Sequence, residues 1–220
     1  MLRKRDSSWS SYTILTVVIV CLAVGVASAQ TVDEVTDAYQ VTYYSNAKVI
    51  GAPDGFVHIV NPGTSVTTIN ANGKPLNGNL CADIYVLNND QQVIECCGCT
   101  LTPDSERTLT ININLLGNPI NPGLVTPDGV IKVVSAAYNL PKSPFCDPTA
   151  DRAPIVPTAA VRAWATHIQA QPTVPLYPVT EEEFSAAPLS DNELSNLEDQ
   201  CSSIYTSGSG PGICNCGFGD

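Results

Sequence analysis

Thr108-Leu109-Thr110-Ile111-Asn112-Ile113-Asn114-Leu115 alternates polar and apolar residues without a break. Successive side chains of a strand point to opposite faces, so Leu109, Ile111, Ile113 and Leu115 are expected to face a core. Thr108, Thr110, Asn112 and Asn114 would then face water. The same two-residue period, with more noise, runs through Tyr39 to Tyr44, Phe56 to Val60, Ser65 to Ile69, Cys81 to Leu87, Gln92 to Thr100, Val130 to Ser135 and Val161 to Ile168. Asn61-Pro62-Gly63, Asn72-Gly73, Asn77-Gly78, Asn89-Asp90, Thr102-Pro103-Asp104, Asn121-Pro122-Gly123 and Pro127-Asp128-Gly129 separate them. Gly and Asn accept positive φ, and Pro cannot continue a central strand, so these are turns.

Many short strands punctuated this way make a mainly β protein. The strands are uneven in spacing and joined by proline-bearing connections, which suits an antiparallel β-sandwich, immunoglobulin-like or jelly-roll in topology. No Trp lies between Cys81 and Cys146, so an immunoglobulin likeness would be architectural.

After Ile168 the character changes. Pro172, Pro175 and Pro178 favour an extended linker or an edge strand. Thr180 with Glu183 and Ser190 with Glu193 both fit a capping box, in which a hydroxyl and a carboxylate satisfy backbone N–H groups at a helix entrance. On that reading Glu181-Glu182-Glu183 is the negatively charged first turn of a helix and not a calcium site. A second helix, Asp191 to Tyr205, places Leu194, Leu197, Cys201 and Ile204 on one stripe. Gly208, Gly210 and Gly212 end it. The expected organisation is a signal peptide at 1–29, a β-sandwich at 30–170, and a Pro-rich linker plus short disulfide-tethered helical tail at 171–220.

The N-terminal segment reads as an export signal. Arg3, Lys4 and Arg5 precede an apolar run from Tyr12 to Gly25, and Ala27-Ser28-Ala29 offers a small-x-small cleavage site before Gln30. The run is shorter than the roughly 20 residues a spanning helix needs, so no membrane span is expected after its removal. Cys21 would leave with it. The chain has 21 acidic and 10 basic residues; losing Asp6, Arg3, Lys4 and Arg5 leaves 20 and 7, a net charge of −13. Scattered cations in so acidic a chain cannot build a basic stripe, which excludes a nucleic-acid partner.

Two clusters of cysteine remain: Cys81, Cys96, Cys97 and Cys99, then Cys146, Cys201, Cys214 and Cys216. An even number of cysteines in an exported chain points to disulfides. Each cluster is expected to close on itself, the second stapling helix and tail near Cys146. Within the first, alternation puts Cys97 and Cys99 on one face and Cys96 on the other. The turn decides the rest: a three-residue loop at Asn88 to Asp90 sets Cys81 opposite Cys97, and adding Gln91 sets it beside Cys96. The competing reading is a metal site on Cys96-Cys97-Gly98-Cys99 with Cys81 as fourth thiolate, but the usual knuckle separates its ligand pair by two or more residues.

No catalytic or cofactor-binding residue is nominated. His58 and His167 lack an acidic or nucleophilic neighbour in sequence and read as structural. The motifs G-x-S-x-G and H-E-x-x-H, the Walker loop and the EF-hand loop are absent. Gly208-Ser209-Gly210-Pro211-Gly212 follows a helix and is a tail linker. Tyr39, Tyr43, Tyr44 and Trp164 read as packing residues, with an aromatic binding row as the alternative. The expected function is a secreted structural or interaction module, not an enzyme. Its partner is another protein or a second copy, reached by adding Gln30 to Tyr44 to a neighbour's sheet edge. An extracellular hydrolase with loop carboxylates is the alternative of another class.

Overall fold

The computed structural model describes residues 37–64, 68–69, 75–76, 78–138, 146–152, 154–169, 177–207 and 210–217, with backbone alone at 68–69 and 75–76. The export signal at 1–29, the start of the strand expected from Ser65 and most of the Pro-rich linker lie outside these residues.

Two antiparallel sheets pack as a sandwich, as the alternation predicts. The strands of the first are β1 (Tyr39–Tyr44), β5 (Leu80–Asn88), β6 (Val93–Leu101), β8 (Gly129–Ala137) and β11 (Ser185–Ala186), in the order β11-β1-β8-β5-β6. Those of the second are β2 (Phe56–Asn61), β7 (Ser105–Thr110), β9 (Arg162–Ile168) and β10 (Val179–Glu183), in the order β10-β9-β2-β7. A ribbon of β3 (Thr68–Ile69) and β4 (Pro75–Leu76) stands apart. Leu80, Ala82, Ile84 and Val86 of β5, Ile131 and Val133 of β8, Val57 and Ile59 of β2, and Ala163 and Ala165 of β9 form the core between the sheets. These are the inward positions of strands with period two, filled by small and branched residues that interdigitate.

The first sheet is not wet on its other face. Helix α1 (Asp191–Thr206) lies across it and buries Leu197, Cys201 and Ile204 against Tyr39, Tyr85, Leu87, Val93, Cys96 and Val134. With Cys146 packed on Cys81 as well, all nine residues of β5 are buried. The stripe at spacings of three and four was legible in the sequence. Its docking site, the back of a sheet, was not. Ser190 caps α1 by accepting from the Glu193 N–H at 3.1 Å. Glu193 does not reach back to complete the box. Its carboxylate instead accepts from Lys132 and from the Tyr39 hydroxyl, tying the helix start to β8 and β1.

The segment read as the clearest strand departs from that reading halfway. β7 ends at Thr110, and Ile111–Leu115 is a π-helical turn closed by Leu116 N–H on the Ile111 carbonyl at 2.8 Å. Its partner strand supplies the reason, since β2 begins at Phe56, opposite Thr110, and before it only the Gly55 carbonyl still accepts, from the Ile111 N–H at 3.0 Å. Side chains then take the freed donors. Asn114 Oδ1 accepts from the Thr110 N–H at 2.8 Å, and Asp54 accepts from the Asn112 N–H, the local competition with ladders that Asn and Asp favour. Leu109, Ile111 and Leu115 are buried as expected, whereas Ile113 is turned out and 72% exposed.

The first of the two expected helix starts is also corrected. Thr180 and Glu183 belong to β10, paired with β9 from Val179↔Ile168 to Glu183↔Trp164. The unpaired edge of β9 recruits this segment, and a row of exposed glutamates is a usual way of keeping an edge strand from adding a stranger. The chain then changes sheets. The Phe184 N–H donates to the Ala163 carbonyl, the buried Phe184 ring plugs the gap, and Ser185–Ala186 pairs with β1. One open side of the sandwich is thereby closed.

β1 itself sits inside this sheet, with six register pairs to β8. Donating it to a neighbour would strip those pairs from its own domain. The remainder of the segment considered for strand addition, up to residue 36, lies outside the described residues.

Candidate functional site

Gly212 to Cys216 runs beside β6 and covers the other open side. Cys96 N–H donates to the Gly212 carbonyl at 2.8 Å, Cys214 N–H to the Cys96 carbonyl at 3.2 Å, and Ile213 forms a parallel bridge with Cys96. This register sets Cys214 beside Cys97 and Cys216 beside Cys99. Disulfides join both pairs, each over a sequence separation of 117. On the opposite face of β6, Cys96 is bonded to Cys201 of α1 over 105 residues. The fourth bridge, Cys81–Cys146, spans 65 residues and ties the connection between β8 and β9 to β5.

Every bridge therefore joins one cysteine of the first cluster to one of the second, and the expectation that each cluster closes on itself is overturned. Hairpin register gives the reason. A turn from Asn88 to Gln92, with Gln91 at φ 64°, and a bulge between Val86 and Leu87 put Cys81 opposite Thr100. Neither Cys97 nor Cys96 stands across from it, contrary to both expected registers. Cys97 and Cys99 share a face but are neighbours along one strand, and Cys96 points the other way. The first cluster has no partner within itself. One signal was in plain sight: Cys97-Gly98-Cys99 and Cys214-Asn215-Cys216 share a spacing of two, so two strands side by side can pair them rung by rung. With all eight sulfurs of the two clusters bonded as the favoured reading had it, the competing metal site on Cys96, Cys97, Cys99 and Cys81 has no thiolates in this state, and Cys81 stands apart from the other three.

Gly98 is glycine because of what lies over it. A Cβ there would stand 2.6 Å from the Cys146 carbonyl oxygen and 2.9 Å from Asp83 Oδ1. Gly98→Ala is expected to cost about 1–3 kcal/mol through forced displacement of the Cys146 backbone. Thermal unfolding of the oxidised variant would show it as a lower midpoint, and an unchanged midpoint would mean that this contact yields freely.

Two buried acids lie on β5 and β6, the strands that carry half of the bridged cysteines. Asp83 is 1% exposed, and its Oδ1 has no hydrogen-bond partner. Burial, then the charges of Asp147 and Glu198, push its carboxyl up to about 8. Tyr85, on the same strand, donates to the Pro148 carbonyl at 2.8 Å and is also raised by burial. Tyr205 of α1 is pushed up to about 12 by burial and by Asp147 and Asp83. Glu95 is fully buried and pushed up to about 7 by desolvation, against the lowering effect of the Asn118 N–H that donates to it. Sequence reading missed both acids, because a carboxylate within an alternating strand looks like a wet-face residue.

The histidines part ways. His58 Nδ1 lies 2.9 Å from Glu106 Oε1 and 3.1 Å from Thr108 Oγ1 across the β2–β7 pair. Its acidic partner comes from the neighbouring strand and is half exposed. His167 is buried, stacked on Tyr43 at 3.9 Å between ring centroids, with Nε2 unpartnered; burial lowers its pKa. The two rings line a cleft of about 10 Å³, the size of one water, with Tyr44, Phe56, Ile111 and Ala165. No carboxylate lines it. Tyr39 and Tyr44 are core residues, as expected, while Tyr43 is 44% exposed. Trp164 is half-buried between His58 and Glu183 in the sheet. The tyrosines and Trp164 do not gather into one row.

Fold and bridges together define a disulfide-locked β-sandwich with a helix on the back of one sheet. No known protein family, curated protein or solved structure matches the chain. Among the described residues no helix is long and apolar enough to cross a membrane.

Proposed function

We propose that the chain is exported, loses residues 1–29, and works outside the cytoplasm as a covalently locked structural or interaction module. The observation that carries this reading is the set of four bridges, three tying the C-terminal helix and tail to the sandwich and the fourth tying the β8–β9 connection to β5. Such bridges persist in oxidising compartments and are rare where glutathione and thioredoxin keep thiols reduced. Protection against unfolding and proteolysis outside the cell is the direct physical benefit of fastening a tail this way.

An interaction role is favoured over chemistry by what surrounds the polar groups. The most perturbed carboxyl, Asp83, is sealed beneath other residues, where no substrate reaches it, and the His167 cleft holds no acid to orient the imidazole. A general base needs access, an orienting group and a place for substrate; His58 has Glu106 beside it but does not line the His167 cleft. Ile50 and Ile113 stand out to solvent on two segments joined by Lys48, whose N–H and ammonium both donate to Asn112. Exposed apolar side chains of this kind are what a partner covers.

Intact mass of the protein recovered from the culture medium, before and after reduction and alkylation, tests the proposal. A chain beginning at Gln30 that accepts eight alkyl groups only after reduction is the expected result. Recovery from the cytoplasm with residues 1–29 attached and thiols that alkylate directly would refute it.

A further inference from the structure

We propose that Cys97, Cys99, Cys214 and Cys216 form a second lock on the tail: a tetrathiolate site for one thiophilic divalent cation, such as zinc, whenever their two bridges are open. The inference concerns the reduced chain and goes beyond the extracellular role, which concerns the oxidised one.

Geometry carries it. The sulfurs of Cys97, Cys99 and Cys216 all lie within 4.8 Å of one another, and Cys214 is bonded to Cys97. In a tetrahedral site with metal–sulfur bonds of about 2.3 Å, neighbouring sulfurs stand about 3.8 Å apart. Cys97 Sγ and Cys99 Sγ, which are not bonded to each other, already stand 3.9 Å apart. Backbone hydrogen bonds hold them there alongside the sulfur–sulfur bonds. β6 is anchored in its sheet, and the Gly212–Cys96 and Cys214–Cys96 hydrogen bonds lay the tail beside it. Two C-x-C pairs on adjacent strands bring three of these sulfurs within that range, and Cys214 Sγ, held beside Cys97 by its bridge, has to turn toward them once the bridge opens.

The other cysteines cannot do this. Cys96 faces α1 from the far side of β6, and Cys81 pairs with Cys146 away from both; no further group of three ligating side chains comes as close among the described residues. Burial favours the site too. The four residues are at most 7% exposed, so a bound cation would be shielded from water and from competing ligands.

The chemistry balances with an external dithiol as reductant. Two dithiols reduce the two bridges, giving four protein thiols and two cyclic disulfides. One Zn²⁺ then binds four thiolates and releases four protons, so the charge is +2 on each side. Thiolates, not thiols, are the ligands, and binding is therefore favoured by rising pH. Either lock fastens the same tail to the same strand.

Refolding of the fully reduced exported protein with Co²⁺ in the absence of oxidant tests the site. The expected result is one Co²⁺ per chain with the visible bands of tetrahedral cobalt–thiolate, removed on adding Zn²⁺. Mass analysis after alkylation should then find Cys97, Cys99, Cys214 and Cys216 protected and Cys81, Cys96, Cys146 and Cys201 modified. The variant Cys81→Ala/Cys146→Ala should bind Co²⁺ equally. Absence of the tetrahedral spectrum, protection spread over the other cysteines, or loss of binding in that variant would each overturn the proposal. None of these outcomes bears on whether the secreted protein is oxidised.

Discussion

Replacing all four tail-locking cysteines, as Cys97→Ala/Cys99→Ala/Cys214→Ala/Cys216→Ala, is expected to lower the unfolding free energy by about 5 kcal/mol, while Cys99→Ala/Cys216→Ala alone lowers it by about 2 kcal/mol. The inequality follows from which loop each bridge closes. With Cys96–Cys201 intact, the path from Cys97 to Cys214 is not the 117 residues of the sequence but one residue on β6 and thirteen beyond Cys201. On the chain-entropy account a loop of about 15 residues is worth about 3 kcal/mol, and a second bridge one rung away closes only a few more residues, worth about 2 kcal/mol. Urea unfolding of the oxidised variants checks both numbers. Equal losses in the two variants would mean that one bridge carries the whole constraint.

Asp83→Asn is expected to stabilise the protein by several kcal/mol at pH 9 and to change little at pH 4, flattening the pH profile. Unfolded aspartate titrates near 3.9, whereas Asp83 in the fold titrates near 8 because β5 buries it and Asp147 and Glu198 face it from the neighbouring loop and from α1. Between those values the folded chain holds a proton that the unfolded chain has released. Stability must therefore fall as pH rises through this window, and the penalty is complete above pH 8. Each pH unit is worth about 1.4 kcal/mol, so even a partial shift dominates the profile. Glu95, held near 7 by burial, adds slope of the same sign up to neutrality. The structure has the opposite polarity from a protein held together by ion pairs: mild acid is its favourable condition. Thermal midpoints from pH 4 to pH 9 test this, and a midpoint that climbs with pH in the parent protein would refute it.

The β-sandwich was legible because its signal is local. Val57 and Ile59 flank His58, Ile131 and Val133 flank Lys132, and each inward residue reports its own face. The helix at Ser190 was legible for the same reason: the cap and the stripe through Leu197, Cys201 and Ile204 lie within one stretch of chain. Thr180 and Glu183 carry an equally good local cap and form a strand instead, because the unpaired edge of β9 offers backbone partners that a short helix does not. Ile113 failed likewise. Its pattern continued after its partner strand had ended.

The cysteine pairing, and with it the candidate site, was not legible from clusters along the chain, because proximity in sequence says nothing about which face of which strand a sulfur occupies. Cys96 and Cys97 are adjacent and bonded to different elements on opposite sides of one sheet. Asp83 and Glu95 were hidden by the same logic, since alternation assigns faces but cannot say that the outer face will be covered.

By itself the amino-acid order determined the class of the protein: alternating strands, an amphipathic helix, a small-x-small motif at Ala27-Ser28-Ala29, and an even set of cysteines after it. Only the tertiary structure decided that α1 lies on the back of the first sheet, that the tail seals β6, and that every bridge crosses between clusters. The physical reason is range. Side-chain period and helix caps act over a few residues, whereas burial of a strand's second face and the pairing of sulfurs depend on which surfaces meet after the chain has folded back on itself.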